Sequence, residues 1–338
     1  LGIFQRKGEL TLVRLRAAVS LALLAAVAAC AHGGSSSSSS SSSAPNGVSN
    51  PAQGTPAGAK SIGVSIQNRE AQFYQDMEAG MRSEAAKNGY TVTVVDANRD
   101  NAQQQSQVED FVSKKVDAIV LTPYDSQAIG SAIVEANNAN IPVFTADIAN
   151  ASSQGKVVSH IASDNVQGGY VAGTLICHAL SGKGDVAIID EPEVTSVQDR
   201  VKGFKQAVAK LCPGVKIVAD VDSGGARTKA NSDAGDILQA HKDLAGIFGI
   251  NDDSALGAVA AVAAAGLTGK IAIVGYDAGP EARAAITKGT MYGDVLQYPK
   301  QIGIATIDAI ADYLKGKTPP AIVHTPVGTF TRNGAPAH

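Results

Sequence analysis

The chain has 338 residues, of which 44% are hydrophobic and 17% charged, and its formal net charge is −3. This length suits one large domain or two of ordinary size, with enough apolar residues to bury a core. Because 28 basic residues stand against 31 acidic ones, a nucleic-acid-binding surface is not expected. Three cysteines are too few for a disulfide scaffold or a four-thiolate zinc site. The 35 glycines and the absence of tryptophan favour helices packed on sheets.

The amino-terminal segment has the pattern of an export signal. Two arginines, Arg14 and Arg16, precede an apolar run at 17–29 that is too short to span a bilayer. The run ends in Val-Ala-Ala followed by Cys30, which resembles the lipobox of bacterial lipoproteins. The sequence therefore predicts a signal peptide at 1–29 and a lipid on Cys30. The alternatives are an ordinary secretory signal or a buried helix, with an incidental cysteine.

A low-complexity segment follows the predicted lipidation site. It contains nine consecutive serines at 35–43, then mainly Pro, Gly, Asn and Ser. Such a composition is typical of a flexible chain, so residues 30–60 are predicted to be a tether. Removal of residues 1–29 would take away four basic residues and one acidic residue, leaving 24 basic, 30 acidic and a net charge of −6. The lipid alone would then hold the protein on a membrane, in the periplasm or at the outer face of the cytoplasmic membrane.

From residue 61 onward, short apolar runs alternate with segments of helical spacing, as Phe73, Met77 and Met81 show by recurring every four residues. The predicted strands are 61–66, 90–96, 118–121, 142–145, 186–189, 216–221, 246–250 and 271–274. The predicted helices are 71–88, 102–114, 126–138, 168–180, 197–211, 227–241, 254–265, 281–288 and 299–314. Strands that alternate with helices in this way predict βαβ units and parallel sheets. The number of units exceeds one ordinary sheet, which favours two lobes.

An internal repeat also favours two lobes. Residues 117–147 and 245–277 share the order strand, Asp-Ser turn, small-residue helix, and a strand that ends in aspartate. Ligands of parallel sheets bind at the carboxyl ends of the strands. Thr122, Asp147, Asn251 and Asp277 all follow or end predicted strands, so a ligand is expected to meet them in a cleft between the lobes.

Four stretches together resemble the ribose-binding-protein class of bacterial solute-binding proteins, which have the type I periplasmic fold. They are VVSHIASDN at 157–165, NDDSALG at 251–257, VGYD at 274–277 and QYPKQIG at 297–303. The resemblance implies an α/β fold of two Rossmann-like lobes with parallel sheets, joined by a three-crossing hinge. It places the amino-terminal lobe at 61–163 plus 298–325, the carboxy-terminal lobe at 164–297 plus 326–332, and a tail at 333–338.

The resemblance also implies which residues bind the ligand. The family's binding positions fall on Gln67, Phe73, Tyr74, Thr122, Asp147, Gln198, Asn251, Tyr276, Asp277 and Gln297. The two aromatic rings of the first lobe suit the C–H faces of a sugar, and the aspartates suit its vicinal hydroxyls. Purely structural alternatives are that Phe73 begins a core stripe, that Asp147 makes a turn, and that Asn251 caps the next helix.

This sequence departs from the ribose-binding pattern at two cleft arginines. Ile148 stands where the family has one of them, and Gln198 where it has the other, with Arg200 two residues further on. Gly225 falls where those proteins have an aromatic residue. A cleft that loses guanidinium groups and keeps its aspartates is expected to take an uncharged ligand, such as another pentose, a hexose or a sugar alcohol.

The leading functional hypothesis is an extracytoplasmic solute-binding protein that captures a neutral sugar or polyol by hinge closure and presents it to an ABC permease. A sensory binding protein for a chemoreceptor or histidine kinase is the alternative. A glycosidase that uses Asp147 and Asp277 is a third, minor hypothesis. No catalytic residue, cofactor, metal ligand or nucleic-acid partner is predicted, and the protein is expected to be a monomer.

Cys177 and Cys212 each fall near the carboxyl end of a predicted helix of the second lobe. Neighbouring helices on one face of a sheet run side by side in this fold. A disulfide between the two thiols would persist outside the cytoplasm, whereas two buried free thiols are the alternative.

Overall fold

The computed structural model describes residues 58–333, and within them lie two six-stranded sheets and the helices that cover them. The strands are β1 (Ser61–Ile66), β2 (Thr91–Asp96), β3 (Ala118–Leu121), β4 (Val143–Ala146), β5 (Val157–Ser163), β6 (Lys183–Asp190), β7 (Gly214–Asp222), β8 (Leu244–Gly249), β9 (Ala272–Asp277), β10 (Gly293–Leu296), β11 (Ile322–Thr325) and β12 (Gly328–Thr331). The helices are α1 (Gln72–Lys87), α2 (Asn101–Ser113), α3 (Gly130–Asn138), α4 (Asn165–Ala179), α5 (Thr195–Leu211), α6 (Arg227–Ala240), α7 (Asp252–Ala264), α8 (Pro280–Lys288) and α9 (Pro299–Leu314). The predicted signal peptide, Cys30, most of the tether, and residues 334–338 of the tail lie outside the described residues.

Each sheet is the centre of one lobe. The first lobe has the strand order β11-β5-β4-β3-β1-β2, and the second has β12-β10-β9-β8-β6-β7. The pairs are parallel except that β12 runs antiparallel to β10. Strands covered on both faces are nearly continuous apolar runs, as in β3 and β4, whose residues are all buried.

The chain passes between the lobes three times: between β5 and α4, between β10 and α9, and between β11 and β12. Two of these crossings touch, because the backbone N–H of Asp164 donates to the carbonyl of Thr325 at 3.3 Å. The predicted fold class, with two parallel-sheet lobes and a three-crossing hinge, is confirmed.

Sequence periodicity missed part of this architecture. The sequence prediction lacks the strands β5, β10, β11 and β12. The last three have only four residues each, and no helix separates β11 from β12. Helix α3 begins at Gly130 rather than 126. The side chain of Asp125 accepts hydrogen bonds from the backbone N–H groups of Gln127 and Ala128, and this turn delays the helix.

A disulfide joins Cys177 at the end of α4 to Cys212 just after α5, with Cα atoms 5.6 Å apart. Both cysteines are buried in the core of the second lobe. None of the described helices is long and apolar enough to cross a membrane.

Helices α4 and α5 pack backbone to backbone through glycines. A methyl group at Gly203 would collide with the backbone carbonyl of Val166, and one at Gly169 would collide with that of Arg200. A close approach of this kind lets two helices pack closely over one sheet.

We expect Gly203→Ala to destabilise the protein by about 1–3 kcal/mol, because the added methyl group must push α5 away from α4. The matched variant is Gly235→Ala on α6, where an added methyl group meets no atom within 4 Å. That variant should be stabilising by up to about 1 kcal/mol through helix propensity. Urea unfolding of the two variants measures the difference, and equal effects would contradict the packing argument.

Candidate functional site

A small polar cavity lies between the lobes, where the carboxyl ends of the two sheets face each other. It is lined by Gln67, Asn68, Ala71, Phe73, Tyr74, Arg99, Asp147, Ile148, Glu191, Val194, Ser196, Val197, Arg200, Asn251, Asp277 and Gln297, and we refer to these residues as the cleft. Its volume of about 30 Å³ has room for about two water molecules. Several of its polar residues directly follow strands, as the parallel-sheet rule predicts.

The first-lobe wall is a hydrogen-bonded aromatic corner at the start of α1. The Tyr74 hydroxyl lies 3.0 Å from Gln67 Oε1 and 3.3 Å from Asp147 Oδ2. The Phe73 ring packs edge-on against the Tyr74 ring, with centroids 5.3 Å apart. Both rings are buried in the first-lobe core and also line the cleft, so Phe73 belongs to the core stripe and its ligand-binding role stays a prediction.

Asp147 carries a buried carboxylate at the end of β4. Its backbone is left-handed, with φ of 66°, and only 3% of its surface is exposed. Burial raises the pKa of Asp147 to about 6, while the positive charge of Arg200 opposes this shift. Its Oδ1 atom makes no hydrogen bond and lies 3.9 Å from Nη2 of Arg200.

Arg200 presents a buried guanidinium from α5 to the cleft. Its Nε donates to Asn165 Oδ1 and its Nη1 to the carbonyl of Ile250, both at 2.9 Å. The guanidinium lies 4.0 Å above the ring centroid of Tyr276, which is fully buried. Tyr276 therefore packs beneath Arg200 and does not line the cleft, contrary to its prediction as a ligand-binding residue.

The second-lobe wall contains Asn251, Asp277 and Gln297. Asn251 caps α7 by accepting from the Ser254 N–H at 2.8 Å, while its amide donates to the carbonyl of Gly225 at 3.1 Å. Gln297 donates to Asp277 Oδ1 at 2.7 Å, and its own Oε1 makes no hydrogen bond. Burial raises the pKa of Asp277 well above its usual range, and the nearby charge of Asp252 adds to this shift.

Two cleft residues that the sequence analysis missed connect the lobes. Arg99 donates from the first lobe to the carbonyl of Gly224 at 2.6 Å, and it lies 3.7 Å from Glu191 Oε1. Gln67 also donates to Glu191 Oε1, at 2.9 Å. Burial raises the pKa of Glu191 to about 7, although the charge of Arg99 counteracts it. The position of these residues in the chain could have identified them, because Glu191 directly follows β6 and Arg99 comes shortly after β2.

A second cross-lobe contact holds the loop before α3 against the start of α5. The Ser126 N–H donates to the carbonyl of Glu193, and its hydroxyl accepts from the Thr195 N–H, both at 3.0 Å. Thr195 Oγ1 in turn accepts from the Ala149 N–H at 3.0 Å. The lobes are therefore in contact at two places, through Ser126 to the loop before α5 and through Arg99 to the loop after β7.

The structure does not bring Gln198 and Thr122 into the cleft. Gln198 is exposed and donates to the carbonyl of Pro192, whereas Arg200 enters the cleft. Two residues on a helix differ by about 200° in direction, so a shift of two positions moves a side chain to the opposite face. Thr122 is fully buried, and its carbonyl accepts from Gln104.

The expected loss of guanidinium groups from the cleft is therefore wrong. Arg200 and Arg99 both line it, facing the carboxylates of Asp147, Glu191 and Asp277. Within residues 58–333, no group of three or more His, Cys, Asp or Glu side chains is placed to hold a metal ion.

Two lobes, a three-crossing hinge and a polar cleft with aromatic faces define a two-lobed solute-binding protein. The chain belongs to the periplasmic binding protein domain family, whose model matches residues 62–318. It is 35% identical over 274 residues to the ribose import binding protein RbsB of Bacillus subtilis, covering 80% of this chain and 87% of that protein. It is 29% identical over 269 residues to the xylitol-binding protein of Mycolicibacterium smegmatis, covering 78% of this chain and 76% of that protein.

Solved structures agree with this assignment. The ABC transporter periplasmic solute-binding protein of Actinobacillus succinogenes, with bound D-allose, superposes with a TM-score of 0.76 at 29% sequence identity. The match covers 81% of this chain and 98% of that one.

Glu191 gives the stability of the protein a testable pH dependence. Its folded-state pKa of about 7 lies above the unfolded value of 4.5, so the folded state binds more protons between these values and stability falls as pH rises through them. We expect Glu191→Gln to lack this pH dependence of stability. The free energy of unfolding of Glu191→Gln minus that of wild type should therefore rise by up to roughly 3 kcal/mol between pH 4.5 and 7.5.

Urea unfolding at a series of pH values measures this difference. The control is Glu109→Gln, which changes an exposed carboxylate on α2 and should give a curve parallel to that of wild type. Parallel curves for wild type and Glu191→Gln would show that the Glu191 carboxyl is not buried as the structure places it.

Proposed function

We propose that this protein is the extracytoplasmic solute-binding component of an ABC importer and takes a neutral monosaccharide or sugar alcohol into the cleft. The observation that carries the proposal is a set of buried polar atoms without a hydrogen-bond partner. Three of them belong to cleft residues: Asp147 Oδ1, Arg99 Nε and Gln297 Oε1. A hydroxyl group both donates and accepts, so a polyhydroxy ligand supplies donors to the two oxygens and an acceptor to the guanidinium.

The charges of the cleft support an uncharged ligand. Three carboxylates and two guanidinium groups leave no excess of positive charge for an anion. The Phe73 ring offers an apolar surface for the C–H face of a sugar. The names of the relatives, which mention ribose, xylitol and D-allose, point to the same ligand class.

Hinge closure supplies the mechanism. A monosaccharide is larger than the two waters that fit the closed cleft, so it enters when the lobes are apart and the bond from Gln67 to Glu191 is broken. Ligand hydroxyls then join groups from both lobes, and the ligand favours the closed state by its higher affinity for that state. The permease would recognise the closed form.

The same proposal places the protein outside the cytoplasm. The signal pattern at 1–29 and Cys30 support a lipid anchor, and the serine-rich tether would give the lobes reach from the membrane. We propose a monomer that touches the membrane only through its lipid. The sensory alternative uses the same cleft but is not favoured, because relatives such as the ribose protein are named as import proteins. The proposal assigns no catalytic role to Asp147 or Asp277.

Thermal unfolding of the full chain with D-ribose, D-allose, D-fructose, xylitol and myo-inositol tests the proposal. At about 100 times its dissociation constant, a ligand stabilises by about 2.7 kcal/mol, which raises the melting temperature by roughly 5–10 °C. Asp147→Asn and Arg200→Lys should abolish most of this shift, because each removes a buried polar group that the ligand needs.

Gln198→Ala is the matched control for Arg200→Lys, because the two positions lie on one helix and only Arg200 enters the cleft. The control should keep the full shift. A shift that is lost in Gln198→Ala and kept in Arg200→Lys would show that Gln198, and not Arg200, contacts the ligand. No shift with any of the five compounds would contradict the proposed ligand class.

The lipid anchor is tested separately. In a bacterial host, the full chain should fractionate with membranes and carry a diacylglyceryl group on Cys30, seen by mass spectrometry of the mature amino terminus. Cys30→Ala should release the protein from the membrane fraction, because no other membrane attachment is proposed. Membrane association that persists in Cys30→Ala would contradict a purely lipid anchor.

A further inference from the structure

A second cavity of about 500 Å³ adjoins the cleft on its outer side. It lies between the amino-terminal end of α1 in the first lobe and those of α7 and α8 in the second, and we refer to it as the outer groove. Four residues line both cavities: Ala71, Phe73, Asp277 and Gln297. A substituent on a ring held in the cleft, if directed toward these residues, would therefore enter the outer groove.

Gln297 stands at this junction with an unused acceptor. Only 3% of its surface is exposed, and its amide nitrogen is committed to Asp277 at 2.7 Å. Its Oε1 is buried and has no hydrogen-bond partner. An amide oxygen has two lone pairs, so it can accept from the ring in the cleft and also from a unit that passes the junction.

The outer wall of the groove is polar and carries paired charges. Arg227 is paired with Asp253 at 2.9 Å and with Glu281 at 2.8 Å. Leu256 and Pro280 add apolar surface beside these charges. The groove has six acidic residues but only two arginines, which disfavours an anionic ligand. The acidic residues are Glu70, Asp76, Asp252, Asp253, Asp277 and Glu281, and the arginines are Arg227 and Arg283.

We infer that the outer groove is a second subsite for a neutral, hydroxyl-bearing unit linked to the ring in the cleft, so that the protein also takes glycosides or disaccharides. This inference rests on the proposed function and extends its ligand class. The volume of the groove lies within the usual range of small-molecule sites, whereas the closed cleft is far smaller. The unit in the groove would contact Phe73 and Gln297 at the junction and the Arg227 guanidinium at the outer wall.

Isothermal titration of the full chain with matched pairs of compounds tests the subsite. The pairs are D-fructose with sucrose and myo-inositol with galactinol, in which the extended compound carries a second hydroxyl-bearing ring. At least one extended compound should bind about tenfold tighter than its parent, because it adds a hydrogen bond to a charged group. Arg227→Ala should remove this gain and leave binding of the parent unchanged.

Arg82→Ala is the matched control, because Arg82 is an ion-paired arginine of similar exposure on α1 that does not line the groove. It should keep the gain. If parents bind and no extended compound binds tighter, or if the gain survives in Arg227→Ala, the subsite is refuted while the proposed function stands. Failure of every parent and extended compound would instead contradict the proposed function, and the subsite with it.

Discussion

The buried guanidinium of Arg200 determines how the cleft is built. A charge removed from water is tolerated only where hydrogen bonds and opposite charge surround it. Asn165 and the carbonyl of Ile250 accept from it, the ring of Tyr276 lies beneath it, and Asp147 faces it from the other lobe. Four separate segments of the chain therefore contact this one side chain, and three of them belong to its own lobe.

The same constraint couples the lobes. The contact between Arg200 and Asp147 crosses the cleft, as do those from Gln67 and Arg99 to Glu191, so none of them exists when the lobes separate. Closure removes water from all of these groups and raises the pKa values of Asp147 and Glu191. Ligand hydroxyls that bond to these carboxylates oppose that desolvation. Closure is consequently most favourable with a ligand of matching hydrogen-bond pattern, which is a physical basis for selectivity.

The sequence contained enough to predict the two lobes but not all of the cleft. Alternating apolar runs and the repeat ending in Asp147 and Asp277 predicted both sheets, because these signals are local. The orientation of α5 does not follow from local sequence. The resemblance predicted Gln198 as the cleft residue, whereas the packing of α5 on α4 brings Arg200, on the opposite helix face, into the cleft. Glu191 was missed for a similar reason, since its partners Gln67 and Arg99 lie about a hundred residues away.

The repeated aspartates show how one structural position acquires two roles. Asp147 directly follows β4 and Asp277 ends β9, and both have a positive φ, at 66° and 116°, which is uncommon for residues other than glycine. Asp147 is enclosed by Tyr74 and Arg200, which suits it to fix a ring inside the cleft. Asp277 is held instead by Gln297 beside the hinge and lines both cavities. The first-lobe aspartate can therefore orient the ring while its second-lobe counterpart meets whatever is attached to it.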